Sequence, residues 1–385
     1  MLSKDDDIKF LYRAFREYYY RNIEQIQGPP QIEAREIGYL PFEGTMVRHI
    51  GVRDLGELRG LILHVIPKGI FTSVAYYTHP SLPINEKGFT GADLFIDIDA
   101  DMLDLPCKSL HDFIICQDCL AVQGADSGSR CLHCSSTNVQ LQKWTCETCI
   151  KYAKREVEKA LKFMSEDLGF SKQSVSVYFS GHRGFHLLVA SDEVQELGQQ
   201  ERAELLDYFL GRGISITALG FRENMNEVEL QQLVNKLKDD GGWRARLFQN
   251  IREQDLISAY KSKGLSGITE LVELKVRELR VNLDPVVTGD IHRLVRLDRS
   301  LHEDTGLIKM KCEDVVNFDP FSDAVVFDDE PYTNIYVLNA PTLKWKGLTY
   351  KFPRKTNVSV PKGLAVYLIC KQAATLVNKT SPKTL

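Results

Sequence analysis

Leu94-Phe95-Ile96-Asp97-Ile98-Asp99-Ala100 alternates along its length. Leu94, Ile96, Ile98 and Ala100 fall on one side and Phe95, Asp97 and Asp99 on the other, the period of a β-strand with one face in a core. Two carboxylates two residues apart on a strand point the same way, with Cα atoms about 7 Å apart. Oxygens so placed suit one or two hard divalent cations, as in two-metal phosphoryl-transfer sites. The plainer reading is two solvated aspartates on an exposed face, since Asp is disfavoured in strands but not excluded. The surrounding chain decides between the two.

Upstream, Ile8, Leu11, Phe15, Tyr18, Tyr19 and Ile23 recur at helical spacing over 8–24, and Gly28-Pro29-Pro30 ends that helix. Short alternating runs follow at 36–42, 46–52 and 72–78, with a helix over 55–65, so the aspartate stretch closes an α/β sheet region. Arg48 lies in the second run on the face opposite Val47, where a structural salt bridge is an arginine's usual fate.

Downstream come the cysteines. Seven of the nine fall between Cys107 and Cys149, and six of these form Cys-x-x-Cys pairs. Eleven residues separate Cys116-x-x-Cys119 from Cys131-x-x-Cys134, a spacing that lets two knuckles close one tetrahedral Zn²⁺ site. One ion takes four ligands, so zinc is assigned to Cys116, Cys119, Cys131 and Cys134. Exchange of one pair for Cys146 and Cys149 is the alternative, and reduced thiols without metal the plain reading. Cys107, Cys312 and Cys370 read as lone packing cysteines. Cys146 and Cys149 lead into an amphipathic helix over 150–167 that stops at Gly169.

Val175, Val177 and Phe179 alternate with Ser176, Tyr178 and Ser180 before Gly181-His182-Arg183-Gly184 and a second run from Phe185. This is a β-hairpin with a glycine-bracketed turn. Ser180, Arg183 and His186 crowd one rim, a hydroxyl, a guanidinium and an imidazole that cradle polyphosphate, unless they are incidental polar residues of a surface hairpin. Residues 191–280 turn rich in Gln, Glu, Lys and Leu, with helices near 195–212, 225–239, 253–262 and 266–280. In 281–309, Asp284 or Asp290 precedes Arg293, Arg296, His302 and Lys309. One carboxylate there completes a metal site and the cations bind substrate phosphates, or the stretch is an edge strand with a basic loop. Strands are expected at 324–327, 334–338 and 363–370. Lys344, Lys346, Lys351, Arg354 and Lys355, interleaved with Trp345, Tyr350 and Phe352, read as a solvated face rather than a nucleic-acid contact.

At 385 residues the chain exceeds one usual core, so two lobes or a large insertion are expected. With 43% hydrophobic and 26% charged residues it is an ordinary globular composition, and a net charge of −4 leaves any nucleic-acid attraction to local patches. No apolar run is long enough to span a bilayer, the acidic start is unlike a secretory signal, and clustered Cys pairs fit a reducing compartment. A cytoplasmic location is expected.

Taken in order, the anchors resemble the catalytic small subunit of archaeal and eukaryotic DNA primase, the archaeal form most. They are Val47-Arg48-His49, the run 93–101, the cysteine-rich insertion, 166–170, Tyr178 to His186, Asp284-Pro285-Val286-Val287-Thr288, and Arg293 to Leu307. The resemblance spans nearly the whole chain and is weakest in 191–280. It implies an α/β (α+β) catalytic core of mixed β-sheets flanked by helices, formed by 1–190 and 281–385, with a zinc-binding insertion at 107–149 and a helical subdomain at 191–280. It implies template-directed synthesis of short RNA primers, DNA product being left open, from nucleoside triphosphates on single-stranded DNA with two Mg²⁺ or Mn²⁺ ions. Asp97 and Asp99 match the paired metal-binding aspartates and Asp284 the third, with Asp290 the weaker candidate. Ser180, Arg183 and His186 match the triphosphate motif, Arg296 and His302 its partners, and Arg48 a nucleotide-contacting arginine. A large subunit completing a heterodimer is the implied partner; the location would be the archaeal cytoplasm, or the nucleus in a eukaryote. Two departures stand out: Arg299 beside Asp298, where proline is frequent, and Glu303-Asp304 in place of a Gly-Lys-like pair. The acidic pair weakens local phosphate attraction unless basic residues elsewhere compensate. Rival readings are a repair-type primase-polymerase, a non-catalytic zinc-ribbon nucleic-acid-binding subunit and a metal-dependent nuclease.

Overall fold

The computed structural model describes residues 4–171 and 173–377. The opening helix, Lys4–Asn22, carries Asp5, Asp6 and Asp7 in its first turn, where they face the positive end of its dipole. Its inner face buries Leu11, Ala14, Phe15, Tyr18 and Tyr19.

Two antiparallel four-stranded sheets build the centre. The first runs Leu294–Arg296, Gly69–Ser73, Ile37–Leu40, Val47–Ile50, so a late strand closes a sheet begun by early ones. The second runs Met310–Lys311, Val175–Phe179, Gly184–Val189, Leu94–Asp99. The alternation of the aspartate strand sets its two environments. Leu94, Ile96 and Ile98 are at most 3% exposed in the main core. Helix Glu147–Glu166 covers that face with Ile150, Ala153, Val157, Ala160, Phe163 and Met164, recurring every three or four residues. On the other face Phe95 packs with Val74 and Val295, joining the second sheet to the first. Asp97 and Asp99 follow Phe95 on that face, so they point into the seam between sheets rather than into open solvent.

The cysteine-rich insertion forms a three-stranded sheet, Val122–Gly124, Phe113–Cys116, Val139–Gln142. Residues 192–279 hold the helices Asp192–Gln195, Gln199–Leu210, Glu227–Asp239, Gly242–Gln249, Glu253–Lys263 and Leu265–Leu279. Their buried Phe209, Trp243, Leu247 and Ile268 belong to the main hydrophobic cluster. Arg246 lies over the Phe163 ring at 3.8 Å and pairs with Asp167 at 2.9 Å, tying these helices to Glu147–Glu166.

The C-terminal sheet, Thr356–Val360, Thr333–Val337, Ala374–Leu376, packs with helix Lys362–Cys370 against the opening helix. Two expected strands are corrected here. The run 363–370 is helical and buried on every side, because a short continuous apolar run carries no period to separate helix from strand. Residues 324–327 are irregular, following the short helix Pro320–Asp323. In the basic run near 344–355, Trp345 is buried while Lys344 pairs with Glu147 and Lys346 with Asp329, each at 2.9 Å. Among the described residues no helix is long and apolar enough to cross a membrane.

Candidate active site and metal centres

The hairpin register places His186 opposite Asp97 and Gly184 opposite Asp99. A Cβ at position 184 would stand 2.4 Å from the Ile98 carbonyl oxygen, so only glycine lets the hairpin close on the aspartate strand. Gly181 adopts φ +92° against His302, and Thr305 Oγ1 donates to its carbonyl at 2.6 Å. That contact fixes the 284–309 segment to the turn. Ser180 Oγ accepts from the N–H groups of His182 and Gly184 at 3.3 Å.

Asp284 enters from the opposite side. Its N–H donates to the Asp97 carbonyl at 2.9 Å, and Asp97 N–H donates to Thr288 Oγ1 at 3.1 Å. The Asp284 carboxylate caps helix Pro285–Gly289, accepting from Val286 and Val287 N–H at 2.9 Å. Burial first, then Asp99 and Asp284, raise Asp97 to about 7. A carboxylate crowded by two others in a half-buried seam is the donor set a hard divalent cation relieves. The three carboxylates do not close into one tight group; Asp99 turns toward Arg183.

Arg183 is 2% exposed. Its Nε lies 3.1 Å from Asp99 Oδ1, an ion pair by distance but not aligned as a hydrogen bond, so the Nε–H has no hydrogen-bond partner. Its Nη2 pairs with Asp101, which also holds Lys143. His186 Nε2 is 3.7 Å from Asp97 Oδ1, its ring sits edge-on to Phe95, and its buried Nδ1 has no partner. Burial, with Lys309, Arg296 and Arg293, holds His186 well below its usual pKa, so the imidazole is neutral at pH 7. Arg296 lies 4.8 Å over Phe71, donates to the Leu301 carbonyl at 2.9 Å and pairs with Glu303. His302 Nδ1 accepts from Asp304 N–H at 3.1 Å, and burial keeps this ring neutral too.

The structure therefore gathers Asp97, Asp99, Asp284, Ser180, Arg183, His186, Arg296 and His302 around one seam. Arg48 sits on the edge strand Val47–Ile50 of the first sheet, half exposed, bonded to the fully buried Glu36 at 3.0 and 3.3 Å. Asp290 accepts from His292 N–H at 2.9 Å in the loop leading to Leu294–Arg296. Sequence reasoning missed Asp101, Lys143 and Lys371. Lys371 is buried, donates to the Lys143 carbonyl at 2.8 Å, and meets His182 Nε2. Burial and Arg183 lower its pKa to about 7.

The cysteines form two tetrads rather than one. Cys116, Cys119, Cys131 and Cys134 bring their thiols together, with Sγ–Sγ distances of 3.6 Å for Cys116–Cys134 and 3.5 Å for Cys119–Cys131. Both pairs share a backbone form. Leu120 N–H donates to the Cys116 carbonyl and Ser135 N–H to the Cys131 carbonyl, and Leu120 and Ser135 have φ of 57° and 59°. His133 N–H reaches Cys131 Sγ at 3.4 Å, an amide-to-sulfur contact that favours thiolate. The second tetrad is Cys107, His111, Cys146 and Cys149. Cys107 Sγ lies 3.6 Å and His111 Nε2 3.3 Å from Cys149 Sγ, while His111 Nδ1 faces Asp112 at 2.8 Å. A carboxylate behind a ligating imidazole is the usual outer support of a zinc histidine. Cys107 thus clusters with His111, Cys146 and Cys149 rather than standing alone, and Cys146 and Cys149 lie apart from the first tetrad. The spacing Cys107-x-x-x-His111 before an unassigned Cys-x-x-Cys was the available signal.

Comparison with known proteins bears on this geometry. Residues 137–311 match the family described as DNA primase small subunit. The chain is similar to the DNA primase small subunit PriS of Nitrosopumilus maritimus, 35% identical over 97% of this chain and 99% of that one. It is also similar to PriS of Archaeoglobus fulgidus, 30% identical over 94% of this chain and 96% of the other. Among solved structures, the polymerase domain of Mycobacterium tuberculosis Ligase D in complex with DNA overlaps 80% of this chain and 83% of its own at 8% identity. Its TM-score of 0.35 is too slight a likeness to bear on the fold.

Proposed function

The chain belongs to the DNA primase small-subunit family, and from that premise we propose that its seam joins nucleotides on single-stranded DNA by two-metal nucleotidyl transfer. It is a DNA-directed nucleotidyltransferase, the catalytic subunit of a primase. The observation that carries the metal reading is Asp97, a carboxylate raised to about 7 by burial and by the two other aspartates named for the site. Asp97, Asp99 and Asp284 would hold the ions. Bound Mg²⁺ or Mn²⁺ would lower the pKa of an attacking 3′-hydroxyl and offset charge on the pyrophosphate leaving group.

The chain's own groups bind and orient. Arg183 exchanges Asp101 for a phosphate oxygen, a charge-assisted contact its buried guanidinium is already shaped to make. Neutral His186 offers the nitrogen that now lacks a partner. His302 and Ser180 line the same turn. Arg296 must leave Glu303 before it meets phosphate, so the acidic departure at 303 acts as a competitor for the substrate. Positioning and fixed charge supply most of the rate in such transfers.

Each tetrad fits a structural zinc, one Cys₄ and one Cys₃His, with four protein donors and no open position. Single-stranded DNA, nucleoside triphosphates and a primase large subunit are the partners this reading carries. Asp97→Asn should abolish nucleotide incorporation while zinc content and folding stay as in the wild type. Incorporation retained by that variant would remove the metal assignment.

A further inference from the structure

We propose that Lys371 is a positioning residue of the nucleotide site: its buried amino group donates to His182 Nε2 and so keeps the imidazole proton on Nδ1. The inference rests on reading the seam as a triphosphate site. Lys371 stands at the C-cap of helix Lys362–Cys370, far in sequence from every motif named above. It is 2% exposed, and its two polar contacts are the Lys143 carbonyl and the His182 ring.

In its ammonium form, below about pH 7, Lys371 is all donor, so the ring nitrogen it meets presents a lone pair. A neutral imidazole that accepts at Nε2 carries its proton on Nδ1. Burial, then Lys371 and His302, hold His182 well below its usual pKa, which keeps the ring in that neutral form. His182 lies in the middle of the Ser180–Gly184 turn, its ring centroid 5.1 Å from that of His302, and Thr145 Oγ1 donates to its carbonyl at 3.4 Å. The ring is therefore clamped from the Lys371 side, and Nδ1–H is the donor left for a phosphate oxygen. This supplies a hydrogen bond where Glu303 and Asp304 have made the neighbourhood acidic and Arg296 is engaged. Lys371 also acts on Asp304 and His302 through space, offsetting that acidity.

The test measures nucleotide KM and kcat for extension of a primed template by the full chain. Lys371→Met should raise the nucleotide KM about tenfold and leave kcat within about twofold, since a ground-state contact to triphosphate is what is lost. His182→Asn places an amide where Nδ1 stood and removes the dependence on lysine, so adding Lys371→Met to it should change KM by less than about twofold. Effects that multiply in the double variant, or an unmoved KM in Lys371→Met, overturn the proposal. A direct reading needs no variant of Lys371. The ¹⁵N histidine spectrum of the wild-type chain, with His182 identified by its loss in His182→Asn, should show the Nδ1–H tautomer; the Nε2–H tautomer overturns the proposal even if Lys371→Met fails to fold. Failure of the underlying site reading is separate, because it appears as incorporation surviving Asp97→Asn.

Discussion

Asp97 has a folded-state pKa raised from 3.8 to about 7. Between those values the metal-free native protein holds a proton that the unfolded chain has lost, so its stability falls as pH rises through that window. Asp97→Asn removes the repelling charge. At pH 7 without divalent cations the variant should melt about 2–6 °C above the wild type, and the melting curve between pH 4 and 7 should flatten. Added Mn²⁺ should raise the melting temperature of the wild type and not of the variant. The wild type's Mn²⁺ affinity should rise with pH up to about 7 and then level off, as ligands must shed their proton first. Calorimetry on both proteins checks this; equal melting temperatures at pH 7 would contradict it. Glu303 offers a second residue-scale prediction. Freed from its carboxylate, Arg296 should bind phosphate more readily, so Glu303→Gln should lower the nucleotide KM by about threefold or more with kcat little changed. A higher KM would mean that Glu303 holds Arg296 in place instead of competing for it.

At the scale of elements, the hairpin and the aspartate strand act as one piece because Gly184 lets their backbones meet. Gly184→Ala puts a Cβ 2.4 Å from a carbonyl oxygen and should cost about 2–4 kcal/mol along with most of the activity. Gly60, exposed within helix Leu55–Val65 with nothing near its Cβ position, is the matched comparison. Gly60→Ala should stabilise by about 0.5–1 kcal/mol. Denaturant unfolding of the two variants checks both signs. These elements were legible in the sequence for local reasons. The strand alternates with period two, and the turn is bracketed by glycines. Helix Lys362–Cys370 was not, since Leu364 to Cys370 is apolar throughout and its burial on all sides is decided by the opening helix and the C-terminal sheet.

Over the whole molecule, what the sequence hid is what depends on distant pieces meeting. The strand Leu294–Arg296 joins a sheet whose other members end before residue 74, and the structure brings Lys371 behind a turn nearly 190 residues earlier. No local pattern marks such contacts. Asp101 went unremarked because its role, holding Arg183 and Lys143, appears only once the hairpin closes. Cys107 read as a packing cysteine, and His111 went unremarked, because their partners lie beyond the whole Cys₄ module. The two tetrads make a count that tests this packing: the purified chain should hold two zinc ions. Cys116→Ser and Cys146→Ser should each lose one, and one zinc in the wild type would contradict the second centre.

The most direct measurement is incorporation of labelled nucleotides on unprimed single-stranded DNA with Mg²⁺ or Mn²⁺, beside the Asp97→Asn/Asp99→Asn double variant. The primase reading predicts new oligonucleotides from the wild type alone. Equal synthesis by the double variant, or none by the wild type on unprimed or primed templates even with a large subunit present, would contradict it.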